Sequence, residues 1–290
     1  AASWSIVAVA AVGVTLLSQD VLTRVEAFGV IGGSRLVASF IVLAVGFVYY
    51  VLGRRSSDGI SIGVVALVTT FTTQGPALAL GYVALRNGWF DGLSPGAPPA
   101  LSSLTGNIYG SAVAAIDGAL PGLGVFVAGV AILLASFAVF DRALPQLEGE
   151  AEGIRRFFHA LRRRELMFLM GALITLTTMS VSLSITVLVP LALKGYMKRE
   201  HVIPYVMGAN ITTFVDTLGA SFLVGGEAAF TVVFTQMVTL TGISAVILTV
   251  AYGPYRDMVL GVATWSLASR RRFAAFLAAI VAVPAVLLVV

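Results

Sequence analysis

The chain contains no cysteine in its 290 residues. That excludes thiol catalysis, disulfide bridges and cysteine-held zinc or iron–sulfur centres. Histidine is nearly as scarce. The two present, His159 and His201, lie among charged residues, so a histidine-rich metal site is not expected. Charge is thin as well: 11% of residues are Asp, Glu, Lys or Arg, against about 25% in an ordinary soluble domain. The longest polar stretch, Asp141 to Glu165, is too short to be a soluble domain of its own. The rest is apolar, with 58% hydrophobic residues and a mean hydropathy of +0.98. The 30 glycines and 10 prolines suit kinked, closely packed helices in a bilayer. The net charge of +4 comes from basic residues in short loops. Anionic lipid head groups and the positive-inside rule account for those, so no nucleic-acid partner is expected.

A membrane span needs about 20 apolar residues. Ser3–Leu17 is read as a membrane helix and not as a signal-peptide core, because no basic residue precedes it and the first cation is Arg24. Leu36–Leu52 reads as a span closed by Gly53-Arg54-Arg55. Ile60–Leu85 is apolar but interrupted at Thr69–Pro76. A Gly/Pro-rich loop, Asn87–Ser103, leads to Leu104–Ala119, which carries Asn107 and Asp117 and is too polar to face lipid. Leu120–Phe140 is a clean span, and Asp141–Glu165 a polar linker of mixed charge. Leu166–Leu193 is a second interrupted stretch. Val202–Gly226 is half-apolar, Ala228–Tyr252 a clean span, Tyr255–Ser266 a short segment and Phe273–Val290 a last span.

This order repeats. Thr72 precedes Gly88 by as many residues as Met179 precedes Gly195, and each hydroxyl-rich interruption is followed by a Gly/Ala-Asn-Ile turn, at Asn107 and at Asn210. The expected fold is an all-α polytopic membrane protein of two inverted repeats, each with a re-entrant helical hairpin and a broken helix. Residues 1–140 form the first repeat with extra N-terminal helices, 141–165 the linker, 166–254 the second repeat, and 255–290 the C-terminal helices. Both flanks of Leu166–Leu193 are basic, which favours a hairpin with both ends on the cytoplasmic side over a single crossing.

Broken helices at membrane depth survive only beside protein or a wet cavity, and a pair of them points to a transporter's site. A half-helix N-terminus offers free N–H groups to an anion. Thr72, Thr73, Gln74, Gly75, Ser180 and Ser182 are therefore candidates for anion binding. Asn107, Asn210, Thr212, Thr213 and Asp216 are candidates for cation binding, because amide and carboxylate oxygens suit sodium and a carboxylate can also carry a proton. Single Ser and Thr residues in such helices more often tie helices together, and Asn also caps helices. Intramembrane enzymes fit poorly. The acids are not clustered within the apolar stretches, no histidine is embedded, and His-Glu-x-x-His is missing.

These residues carry a likeness. Gly171-Ala172-Leu173-Ile174-Thr175-Leu176-Thr177-Thr178, the following Met179-Ser180-Val181-Ser182 and Gly208-Ala209-Asn210-Ile211-Thr212-Thr213 resemble the sodium/phosphate cotransporter family, type II and its bacterial relatives, over about residues 120–250. Thr72-Thr73-Gln74-Gly75 and Gly106-Asn107-Ile108 match it more loosely. The family has Gln-Ser-Ser-Ser hairpins and Gly-Ala-Asn-Ile-Gly-Thr-Thr turns. Met179 and Thr72 stand where it has its tip glutamines, and Val181 where it has the central serine. The resemblance implies cation-coupled symport of a small inorganic anion, phosphate with sodium, by alternating access in a prokaryotic inner membrane, with no other cofactor. Another solute, proton coupling through Asp216, a channel, a non-transporting scaffold and self-association stay open.

Overall fold

The computed structural model describes residues 13–18, 20–51, 58–93, 163–178, 180–193, 197–222 and 226–287. Most of these residues are helical, with no strand among them. The expected segments Leu104–Ala119, Leu120–Phe140 and the polar linker as far as Arg162 lie outside them, as do Asn107, Asp117, Met179 and most of Ser3–Leu17. Within them, the stretches Gly59–Arg86 and Gly226–Thr249 are long and apolar enough to cross a membrane.

After a helical turn at 13–18, α1 (Arg24–Val51) opens with a capping box. The Thr23 backbone N–H and hydroxyl both donate to the Glu26 carboxylate at 2.8 Å, and the Glu26 N–H returns to the Thr23 hydroxyl at 3.3 Å. The expected span from Leu36 is only the later part of this helix. Gly32, Gly33 and Ser34, which precede that span, are helical as well. At Gly32 an added Cβ would collide with the Leu78 side chain, so the missing side chain admits a neighbour.

That neighbour is α2 (Asp58–Arg86), antiparallel to α1. Gly63 lies against Leu43, Thr70 opposite Ser39, Leu78 opposite Gly32 and Gly81 against Phe28. The interruption expected at Thr69–Pro76 is absent: α2 runs through it unbroken with Pro76 inside. The threonines feed their own helix. Thr72 Oγ1 donates to the Val68 carbonyl at 2.6 Å and Thr73 Oγ1 to the Thr69 carbonyl at 2.8 Å. Hydroxyls that bond back one turn leave the ladder intact, and neighbouring helices let a membrane helix keep a proline. The first half therefore has no hairpin tip at Thr72–Gly75.

The second stretch does break. Helix α3 (Arg164–Thr178) ends before Ser180, and α4 (Val181–Thr186) and α5 (Leu188–Leu193) follow. Thr175 Oγ1 donates to Ser184 Oγ at 2.8 Å across nine residues of chain. Nine residues of straight helix would span about 13.5 Å, so the chain turns back on itself here. Tyr252 links the start of this stretch, Arg164, to Glu200 near the start of the next helix. The Arg164 guanidinium lies 5.4 Å from the Tyr252 ring centre, and the Tyr252 hydroxyl donates to the Glu200 carbonyl at 3.1 Å.

Helix α6 (Arg199–Ala220) is continuous through Gly208-Ala209-Asn210. The turn expected there is helix, and the glycine has a packing role instead. A Cβ at Gly208 would overlap the Phe168 carbonyl, and one at Gly171 the Tyr205 carbonyl. Helices α3 and α6 thus touch backbone to backbone, as small residues allow between helices that lipid cannot drive together. Helix α7 (Gly226–Thr249) returns antiparallel to α2, with Phe234 against Phe90 and Thr239 beside Gly81. Helices α8 (Tyr252–Leu267) and α9 (Arg270–Leu287) close the described chain. One apolar cluster joins the early part of α2 to α4, α5, α6 and α8, and a second joins the start of α1 to the late part of α2, α6 and α7.

Candidate functional site

A polar seam crosses this apolar bundle where α1, α2 and α6 meet. Its first part is a chain of three side chains. Ser39 Oγ on α1 donates to Thr70 Oγ1 on α2 at 2.6 Å, and Asn210 Nδ2 on α6 donates to the same oxygen at 3.0 Å. All three are buried. Buried polar groups need such partners, because an unmatched one costs about 1–3 kcal/mol.

One turn away along α1 stands Arg35, which is only 2% exposed. One guanidinium nitrogen donates to Thr213 Oγ1 at 2.9 Å and another to Thr217 Oγ1. The Phe214 ring lies beneath it at 4.9 Å. Asp216 Oδ1 comes within 3.9 Å but accepts the backbone N–H and hydroxyl of Thr217, the hydroxyl at 3.0 Å. The carboxylate balances the charge at a distance while the close acceptors are neutral hydroxyls. The Arg35 Nε hydrogen finds no acceptor among the described residues. Burying a guanidinium among apolar side chains is costly unless it is paired and hydrogen-bonded.

By the register of the helix pair, Gln74 stands at the level of Arg35 on α2. It sits one turn beyond Thr70 just as Arg35 sits one turn before Ser39, in an antiparallel pair. Gln74 is 1% exposed, and its Oε1 has no hydrogen-bond partner among the described residues. The seam thus holds a fixed cation, four hydroxyls, two amides and a carboxylate, with two of its buried polar atoms uncommitted.

The candidate residues scatter across this plan. Gln74 is in the seam beside Thr70. Thr73 is buried but bonds within α2, and Gly75 is exposed. Thr72 faces α8, sharing a 2.7 Å hydrogen bond with the Tyr255 hydroxyl. Ser180 is buried at the turn between α3 and α4, and Ser182 lies on α4. Of the cation candidates, Asn210, Thr213 and Asp216 are in the seam, while Thr212 bonds back to the Gly208 carbonyl at 3.0 Å. The guanidinium of Arg35 now occupies the place expected for a mobile cation beside Thr213 and Asp216.

A second polar cluster lies at the turned-back stretch. Ser184 Oγ takes the Thr175 hydroxyl and shares a 2.9 Å hydrogen bond with the Tyr205 hydroxyl, which also reaches the Ser184 carbonyl at 3.1 Å. Sequence reading missed Thr175, Ser184 and Tyr205 as a group, and it missed Arg35 by starting the span one residue later. The available signal was a lone cation at the very start of a long apolar run, Leu36–Leu52.

Outside the bundle's middle, charges sort by edge. Arg164 and Arg256 gather with Glu200 at the edge where α3 and α6 begin. The Arg164 side chain, hydrogen-bonded at 2.9 Å, holds the Glu165 carboxyl below the usual carboxylate range. The opposite edge carries Arg24 paired with Asp91 at 3.1 Å, with Glu26 and Glu227 at the adjoining helix starts. Among the described residues no three His, Asp or Glu side chains cluster as a metal site. No protein-family profile, curated protein or solved structure matches the chain.

Proposed function

We propose that the protein is a multi-pass membrane transporter that carries a small inorganic anion by alternating access, with phosphate as the first substrate and a sodium gradient as the driving force. One observation carries this reading. In a chain with membrane-length helices, α3 ends before Ser180, the Thr175 hydroxyl reaches Ser184 beyond the break, and the starts of α3 and α6 lie near one another around Tyr252, which supports a re-entrant stretch. A re-entrant break beside a wet or protein-lined site is the sequence and structural mark of secondary transporters. The seam supports it by supplying positive charge and hydroxyls within the bundle. The inverted repeat remains part of the proposal through residues 104–140, whose Asn107 would answer Asn210. The gathering of Arg164, Arg199 and Arg256 at one edge supports a cytoplasmic position for it.

Uptake of labelled phosphate into proteoliposomes tests the reading. Saturable uptake that rises with an inward sodium gradient is expected, and uptake absent under any cation gradient rejects it. Proton coupling is the second reading, favoured by a carboxylate, Asp216, that borders Arg35 without a direct hydrogen bond to it. In that case an inward proton gradient replaces sodium, and Asp216→Asn uncouples the flux.

A further inference from the structure

We propose that Arg35, held by Thr213 and Thr217 with Gln74 at its level on α2, is the seat of the anion, and that the ligand is a small oxyanion bound between α1, α2 and α6. This deepens the transport reading and rests on it for the word substrate, but the binding site stands on its own geometry. A guanidinium presents five N–H donors in a planar fork that matches two oxygens of one anion. Here the fork is held in place by hydroxyls on one side and by the Phe214 ring on its face. Its Nε edge is uncommitted among the described residues. The neighbouring carboxylate is turned to Thr217 and stays 3.9 Å away. The cation therefore has no anionic acceptor in hydrogen-bond contact, which is the condition an incoming oxyanion would relieve. Gln74 supplies the complement. Its buried Oε1, also without a partner, can accept from an oxyanion that carries its own O–H, and its NH2 can donate to one that does not. Hydrogen phosphate, dihydrogen phosphate and bicarbonate all have such oxygens.

The threonines expected to form hairpin tips are thereby relieved of this role. Thr72 and Thr73 use their hydroxyls on their own helix and on Tyr255. The oxyanion instead meets a full positive charge where an unpaired anion in an apolar bundle would be expelled.

The test uses the full chain in lipid-free detergent, so that head-group phosphates cannot compete, with inorganic phosphate, sulfate and bicarbonate as probes against chloride at equal ionic strength. Wild type is expected to show a saturable rise in Tm with phosphate. Gln74→Glu places a tethered carboxylate at the level of Arg35. It should match or exceed the wild-type Tm without phosphate and lose the further rise. Arg35→Lys, which keeps the charge but not the fork, should weaken phosphate on the order of 10- to 100-fold. The double variant Arg35→Gln/Asp216→Asn removes both charges together, avoiding a stranded carboxylate, and should not respond to phosphate. The proposal is overturned if no oxyanion shifts wild type, or if Gln74→Glu or the double variant responds as wild type does. Binding that persists without uptake in liposomes rejects transport and keeps the site. Uptake unaffected by Arg35→Lys and Gln74→Glu rejects the site and keeps transport.

Discussion

In α2 the run Thr69-Thr70-Phe71-Thr72-Thr73 stays helical, whereas between Thr175 and Ser184 a run of the same residue types ends one helix and begins another. Composition does not separate the two. What separates them is where the hydroxyls find acceptors. Thr72 and Thr73 bond back to carbonyls one turn earlier, and the ladder continues past Pro76. Thr177 and Thr178 do the same in α3. Thr175 instead reaches Ser184, and Ser184 reaches Tyr205 on another helix. A turned-back chain needs such a cross-tie, because lipid supplies no hydrogen bonds to the groups that the break exposes.

The absence of native cysteine makes the sharpest test direct. With Thr175→Cys and Ser184→Cys, whose hydroxyl oxygens now lie 2.8 Å apart, oxidation should give an intrachain disulfide nearly quantitatively. Thr69→Cys with Leu78→Cys, equally spaced on α2, should give none, since about 13.5 Å of helix separates them and a disulfide reaches about 7 Å. Mass analysis after proteolysis reads both, and equal cross-linking in the two pairs would erase the distinction.

Glycine substitutions should differ in sign. Gly171→Ala or Gly208→Ala places a methyl inside a facing carbonyl and is expected to cost ~1–3 kcal/mol. Gly242→Ala in α7, where no neighbouring element comes within 4 Å, should stabilise by ~0.5–1 kcal/mol through lost chain freedom. Thermal unfolding in detergent measures both. Ser184→Ala should come next, at ~1–2 kcal/mol, because it strands the buried Thr175 hydroxyl. The α2 counterpart Thr73→Val, which removes only a bond within its own helix, should cost under ~0.5 kcal/mol.

The smallest effect concerns a third use of threonine, at a helix start. The Thr23 backbone N–H and hydroxyl hold the Glu26 carboxyl below its ordinary value of 4.5. A carboxyl with a lowered folded pKa stabilises above its ordinary value and loses that contribution as pH falls through the folded one. The Tm gap between wild type and Glu26→Gln should therefore be present at neutral pH and close as pH drops below 4.5. A gap that widens in acid would contradict the capping box.

Much of this was legible in the residues. Ala228–Tyr252 reads as a span because nothing interrupts its apolar run, and α7 (Gly226–Thr249) follows it closely. The break near Met179 was also foreseen, with α3 ending at Thr178. Two features misled. Threonine runs look like helix breaks because their back-bonding is invisible in sequence. Gly208-Ala209-Asn210 looks like a turn because a glycine that admits a neighbouring backbone reads the same as one that bends its own. Arg35 escaped for a different reason. Its hydroxyl partners lie 178 and 182 residues further on, and only the folded chain brings them together.

The bare contacts of Gly171 with the Tyr205 backbone and of Gly208 with the Phe168 backbone have a mechanical consequence. No layer of side chains separates α3 from α6 at that crossing, so there is no lubricating surface on which one can slide past the other. A shift of the turned-back stretch must carry α6 with it, and α6 bears Asn210, Thr213 and Asp216. Movement at the bundle's rim is thereby geared to the arginine at its middle.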